Sequence, residues 1–464
     1  MNLEAVDQAL GSKLERTLIA HHRRRLARIG RLDALDAPPG GWAAGDPSPR
    51  AGNDVEVFVD GSHALPAIAD AVESARSHVW LAGWHFSPEL WLRDGGPTLR
   101  TLLAEASRKV EVRVLAWAGA PLPLFHPSRR EVREAREQLI RGTSIEYALD
   151  ARERPLHCHH EKLVIVDGEL AFVGGIDLSV LGGDRYDNSN HPARGSIGWH
   201  DASARLRGPA VADVAAHFAL RWHDVTGEAL PTPAPPPPAG ELEVQIVRTV
   251  PEKIYPSLPG GDFRILESYV RALRSAERLV YLESQFLWSP ELVSVLAGKL
   301  REPPSDDFRL VVLLPSKPKN GQEDTRGQLG VLAEADDGAG RFLACTLRQP
   351  GPGAHQVYVH AKIGIVDDRW LTIGSANLNE HSFFNDSEMN LVCHDERLAR
   401  DVRLRLWTEH LDCPRGELEG DPTEIVDQRW RPSAEAGGTM RLLPHVSRRS
   451  KGILGPLNGF LVDG

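Results

Sequence analysis

The sequence predicts an α/β protein made of two similar α/β/α sandwich halves related by a pseudo-twofold axis. An internal repeat is the first sign: HEKLVIVDGELAFVGGID (160–177) aligns without a gap with HAKIGIVDDRWLTIGSAN (360–377), 200 residues further on. Self-similarity at a fixed spacing marks a duplicated structural unit. A proline run between the copies, PTPAPPPPAG (231–240), is the second sign, because its restricted backbone makes semi-rigid extended linker. The third is the alternation of short β-branched runs with amphipathic helical stretches, the pattern of layered α/β packing.

Along the chain, residues 1–52 read as a helical extension that ends in a Pro/Gly-rich loop, APPGGWAAGDPSPRAG. Within it, HHRRRLAR (21–28) suits either a solvated helix face or an anionic lipid surface. Residues 53–228 form the first half, 229–241 the linker, 242–415 the second half, and 416–464 a loosely structured tail. In each half a helix-like stretch leads into an apolar strand. ALPAIADAVESARSH precedes VWLAGWHFSPEL (79–90), and ILESYVRALRSAERL precedes VYLESQFLWSPEL (280–292). Each half also carries a late helical pattern ending at tryptophan, FALRW (218–222) and LRLW (404–407).

At 464 residues the chain exceeds a single small core, and its 41% hydrophobic and 25% charged residues are ordinary for a soluble protein. A net charge of -10 argues against nucleic acid as the main ligand, since affinity for phosphate backbones comes from clustered Lys and Arg. The four cysteines, Cys158, Cys345, Cys393 and Cys413, are too scattered for a disulfide framework and read as free thiols in a reducing compartment. The N-terminal residues lack the apolar core of a signal peptide, and no run of about 18 apolar residues suggests a transmembrane segment. The expected location is the cytoplasm, soluble or peripheral at a membrane.

The chemistry lies in the repeat. Residues 163–167 and 171–174 are apolar runs around an Asp-Gly turn and predict a hairpin. Side chains two apart on extended chain share a face, so His160 pairs with Lys162 and His360 with Lys362. An imidazole beside a fixed positive charge is suited to a phosphate group. Asp167 and Asp367 fall at the hairpin turns and read as structural, holding the turn or pairing with a basic neighbour. Gly174, Gly175, Gly374 and Ser375 read as small residues that let backbone pack close behind the strands. His157, Cys158, His159 and His160 alternate in direction and cannot all converge, so ordinary packing is preferred to a metal site. His159 and Glu161 should face away from the pair.

One His-x-Lys-x4-Asp match is a weak motif; two at equivalent points of a repeat are a strong one. With HHEKLVIVDGELAFVGGIDL (159–178) and YVHAKIGIVDDRWLTIGSANLNEHSFFNDSEMNL (358–391), the sequence resembles the phospholipase D superfamily, and GGIDL with GDRYD is most similar to its eukaryotic-type phospholipases. The flanks YLESQF (281–286) and WHD (199–201) agree.

The resemblance implies that one of His160 and His360 attacks phosphorus while the other protonates the leaving alcohol and then activates the acceptor; His160 is favoured as nucleophile. It implies that Lys162, Lys362 and Asn377 hold the non-bridging phosphate oxygens. Asp201 and Glu388 match the carboxylates that fix the histidine tautomers, and Asp177, standing where some relatives have Asn, shapes the site. Trp84, Gln285 and Trp288 would line the substrate pocket, while Trp370 reads as core. Ser284 departs from the family's Asn. No metal or cofactor is required by this chemistry. The substrate implied is a glycerophospholipid at a membrane surface, with water or an alcohol as acceptor, on a monomer that supplies both half-sites. Three rivals share the motifs: a cardiolipin synthase-like phosphatidyltransferase, a superfamily nuclease, and a non-catalytic lipid-binding protein.

Overall fold

A computed structural model describes residues 3–121, 126–154, 157–187, 197–231, 234–318, 322–349 and 355–447. Part of the proline linker (232–233) and the last stretch of the tail (448–464) lie outside the described residues.

The first half supplies β1 (Arg50–Val59), β2 (His78–Gly83), β3 (Glu111–Trp117), β4 (Glu146–Asp150), β5 (Leu163–Val166), β6 (Leu170–Gly174), β7 (Ile197–His200) and β8 (Ala202–Arg207). The second supplies β9 (Leu242–Val250), β10 (Asp262–Phe263), β11 (Leu279–Glu283), β12 (Arg309–Leu313), β13 (Phe342–Gln349), β14 (His355–Val359), β15 (Ile363–Val366), β16 (Trp370–Gly374), β17 (Glu388–His394) and β18 (Met440–Leu442). Pairing gives the first sheet the order β4-β3-β2-β5-β6-β8-β1. The second runs β13-β12-β11-β15-β16-β17-β9, the same order strand for strand. In each, the three strands at one end are parallel and the rest antiparallel. β1 and β9 pair through an irregular register and join the sheets, as a pseudo-twofold relation requires.

Period-2 alternation sends each strand's side chains to two different cores. Val79 and Leu81 of β2 face an outer core with α3 (Gly61–Glu73) and α4 (Leu99–Ala106), while Trp80 and Ala82 face inward. Likewise Val280 and Leu282 of β11 face outward to α7 (Arg264–Ser275), α8 (Pro290–Arg301) and α9 (Gln322–Asp336), while Leu279 and Tyr281 face inward. The inward residues of both sheets share one central core with α6 (Val211–Thr226) and α10 (Glu396–Leu411). Each half is therefore an α/β/α sandwich. Its strands are apolar on both sides because both faces are covered.

The hairpins form as expected: β5 pairs β6 with Leu163 opposite Val173, and β15 pairs β16 with Ile363 opposite Ile373. The turn residues Asp167 and Gly168, and Asp367 and Asp368, all have φ between 51° and 67°, the twist a two-residue hairpin turn favours.

Two segments differ from expectation. The sequence suggests a loose tail after 415, but residues 415–443 fold against the second half. Trp430, Val426 and Met440 are fully buried there, and β18 extends the sheet beside β13. Sparse polar helix-like sequence concealed three apolar anchors.

The basic stretch of the N-terminal helix (Leu3–Arg28) divides by face. Arg23, Arg24 and Arg28 are exposed, whereas His22 and Arg25 are buried against the second half. Arg25 binds Glu252 at 2.7 Å and donates to the Phe384 carbonyl and Asn385; His22 stacks on Phe384 and meets Glu291 at 2.9 Å. The helix thus braces the loop that follows the second motif.

Candidate active site

The two halves meet along short parallel contacts that carry the motifs. β14 pairs β7, with Val359 opposite His200, and His159 bridges Ser387 in the same sense. The backbone N–H groups of His360 and Ala361 both donate to the His200 carbonyl, at 2.8 and 3.2 Å. Those of His160 and Glu161 both donate to the Ser387 carbonyl, at 2.9 and 3.0 Å. Each motif therefore begins clamped to the opposite half, one residue before that half's carboxylate.

This clamp sets two buried dyads. His160 Nδ1 lies 3.1 Å from Glu388, and His360 Nδ1 lies 2.6 Å from Asp201. Histidine and carboxylate come from different halves in both. Engaging Nδ1 leaves Nε2 as the free nitrogen of each ring, the role a carboxylate plays in other histidine-based catalysis.

The dyads have unlike surroundings. Glu388 accepts from the Ser375 and Ser382 hydroxyls, the latter at 2.6 Å, and the Ser375 carbonyl also faces His160 Nδ1 at 3.2 Å. Asp201 accepts from the Ala202 N–H at 2.7 Å and has Asp184 as a close neighbour, with both carboxylates and His360 converging. Burial, then the Asp201 and Asp177 charges, push the Asp184 carboxyl well above the ordinary carboxylate range. Burial also opposes ionisation of Asp201, but His360 and Lys362 outweigh it and hold Asp201 below its ordinary value. Burial and then Lys362 lower His360 to about 4, against the pull of Asp201.

Lys162 and Lys362 each donate to the carbonyl of the histidine two residues back, Lys162 at 2.7 Å, which keeps each cation beside its imidazole. Asp177 lies 3.3 Å from Lys162 Nζ and within electrostatic reach of His360, so it links the two motifs. Asn377, its counterpart, contacts Gln285 Oε1 at 3.4 Å, and Gln285 donates to the Tyr358 hydroxyl at 2.8 Å. Tyr358 stacks on Trp199, which packs against the His360 ring with centroids 5.0 Å apart. The residues expected at the site are thus joined by a continuous set of contacts.

Other expected residues stand slightly apart. Trp84 is buried beside Trp117 and Cys158. Trp288 packs on Phe286 and donates to Thr325 at 2.8 Å, with its edge toward His381. Trp370 is core, donating to the Gly41 carbonyl. Ser284, in place of the family's Asn, accepts from the Leu378 and Phe286 N–H groups and holds the loop carrying Gln285. Asp167 and Asp367 each accept from three successive backbone N–H groups at the start of the neighbouring strand, 76–78 and 277–279. They pin β2 and β11 to the hairpins. Glu161 turns away toward Arg221 and His217, and His159 toward Asp150.

Sequence reasoning missed Ser382, Tyr358 and Asp184 as contacts, and it misread Ser375. Gly174, Gly175 and Gly374 do need to be small: a Cβ on Gly175 would collide with Asp201 Oδ1, and one on Gly174 with the backbone of Ser203. Ser375, however, supplies a hydroxyl to Glu388. The Gly-to-Ser difference between the copies was the available signal.

A family model described as cardiolipin synthase, PLD-like domain, matches residues 269–408. Phospholipase D A of Dictyostelium discoideum is 26% identical, over 77% of this chain and 35% of its own length. The major cardiolipin synthase of Bacillus subtilis is also 26% identical, over 75% of this chain and 67% of its own. The chain therefore spans about a third of the first relative and about two thirds of the second. The crystal structure of phosphatidylserine synthase from Haemophilus influenzae Rd KW20 shares the fold, with a TM-score of 0.52 at 11% identity over 82% of this chain and 94% of that one. With paired motifs on a duplicated fold, the chain resembles the phospholipase D superfamily in sequence, and it shares its fold with the phosphatidylserine synthase.

Proposed function

We propose that the protein is a phosphodiesterase that releases the head group of glycerophospholipids at a membrane surface, passing through a phosphohistidine. The observation that carries this reading is the pair of cross-half dyads, in which each imidazole is oriented through Nδ1 by a buried carboxylate. In the first step His160 Nε2 attacks phosphorus, the bond to the head-group oxygen breaks, and His360 gives that oxygen a proton. In the second, His360 takes a proton from water or an alcohol, whose oxygen displaces His160 from phosphorus. Lys162, Lys362 and Asn377 bind the non-bridging oxygens, where negative charge builds in both transition states. His360, lowered to about 4 in the free protein, gains its proton as an anionic phosphodiester settles between the lysines and offsets their charge. One chain supplies both half-sites, so a monomer suffices, and the net charge of -10 suits a lipid better than a polynucleotide.

A second reading, a phosphatidyltransferase that joins two phospholipids, is favoured by the match to the cardiolipin synthase-type model and by the B. subtilis relative. The same covalent intermediate serves both; the acceptor distinguishes them. Mixed vesicles containing phosphatidylcholine and phosphatidylglycerol, incubated with the protein and ethanol, should yield free head group and phosphatidylethanol. Dominant cardiolipin formation would favour the second reading. His160→Ala and His360→Ala should each lower turnover by about 10⁴-fold or more. Near-normal turnover in either variant would refute the mechanism.

A further inference from the structure

A second cluster of titratable groups spans the two halves beside the His160–Glu388 dyad. His157 precedes the first motif, while His381 and Asp386 lie in the loop between Asn377 and Glu388 of the second half. His157 Nδ1 faces His381 Nδ1 at 2.9 Å and Asp386 Oδ1 at 3.3 Å, and donor atoms of all three converge within 4.8 Å of one another. His381 and Asp386 are fully buried; His157 keeps one edge, 8%, open to solvent.

Two features point to a ligand. Two imidazole nitrogens that face each other can share only one proton, whereas a cation between them uses both lone pairs. Asp386 Oδ1 already accepts from the Cys158 N–H at 2.9 Å, but its buried Oδ2 has no hydrogen-bond partner among the described residues. An orphaned carboxylate oxygen in a sealed pocket costs free energy that a bound cation recovers.

We propose that His157, His381 and Asp386 bind one divalent transition-metal ion of the zinc class. Tetrahedral zinc with imidazole ligands at about 2.0–2.1 Å sets neighbouring donors about 3.3 Å apart, close to the 2.9 and 3.3 Å that separate His157 Nδ1 from the other two donors. Two imidazoles and one carboxylate form a ligand set zinc accepts, with the open edge of His157 leaving a position for water. The ion fastens the segment that leads into His160 to the loop that leads into Glu388, so it is a clamp between the halves rather than a participant in phosphoryl transfer.

The test uses the full chain, stripped with a chelator and dialysed. Titration with zinc chloride against a chromophoric chelator should give one tight site per chain and a raised melting temperature. Cobalt(II) in its place should show the visible absorption of a low-coordinate nitrogen/oxygen site. His157→Gln, His381→Gln and Asp386→Asn should each weaken zinc binding by about tenfold or more. Asp386→Asn keeps an acceptor for the Cys158 N–H and so guards against a folding defect. Should a variant still misfold, X-ray absorption of the zinc-loaded wild type decides, because two imidazole ligands must be visible. Absence of a tight wild-type site, binding that survives all three substitutions, or a spectrum without imidazole would each overturn the proposal.

Discussion

The two half-sites share one scaffold and differ in what surrounds the carboxylate. His160 and His360 are clamped by the same backbone pattern and oriented through the same nitrogen, yet Glu388 sits among hydroxyls and Asp201 beside another acid. Duplication sets where two imidazoles stand; divergence of a few neighbours sets what each orienting carboxylate touches. A fold that repeats its backbone can thus give chemically unlike groups to a reaction that needs a nucleophile and a proton carrier.

The largest effect that sharpens this comparison is expected from the carboxylates. In Glu388→Gln the Ser375 carbonyl still accepts from His160 Nδ1, so the tautomer survives, and turnover should fall about 10- to 100-fold. In Asp201→Asn the amide can turn its NH2 toward His360 Nδ1 and impose the wrong tautomer, so the loss should reach about 10³-fold. Head-group release measured under one condition for both variants checks this. Equal losses would mean that the unlike surroundings have no bearing on catalysis.

Those surroundings were the part the sequence concealed. The repeat, the two His-x-Lys pairs, the turn aspartates and the sandwich halves could be read directly, because period-2 alternation and a gapless repeat are local patterns. Asp201 and Glu388 were found by likeness to the superfamily, not by geometry. Asp184, Ser382 and Tyr358 reach the site through long-range packing between halves, which no local spacing encodes. The segment 415–443 failed for the same reason: Trp430 is an isolated aromatic in a polar stretch, and its burial depends on the neighbouring Trp407 and Tyr281.

Asp184 offers an intermediate effect, read in stability. Its folded carboxyl holds a proton that the unfolded chain releases above about 3.8, so the native state loses stability as pH rises from there toward the raised folded value. Asparagine carries no such penalty. Asp184→Asn should therefore melt about 1–3 °C above wild type at pH 8, with the gap closing toward pH 4. A variant less stable than wild type at pH 8 would mean that Asp184 is ionised and paired, and the contrast between the two carboxylates would fail.

The smallest difference is expected where the halves are most alike. Asp167 and Asp367 each cap three backbone N–H groups, at 2.7 to 3.1 Å and at 2.8 Å, and neither touches a dyad. Removing either leaves amides at a strand start that water only partly recovers, a cost of about 1–3 kcal/mol. Asp167→Ala and Asp367→Ala should then lower the denaturant midpoint by similar amounts while turnover of the folded protein stays within about threefold of wild type. The similarity is the diagnostic part. If one variant lost turnover with its midpoint unchanged, that motif aspartate would act on the reaction, and the two halves would differ in their hairpins as well as in their carboxylates.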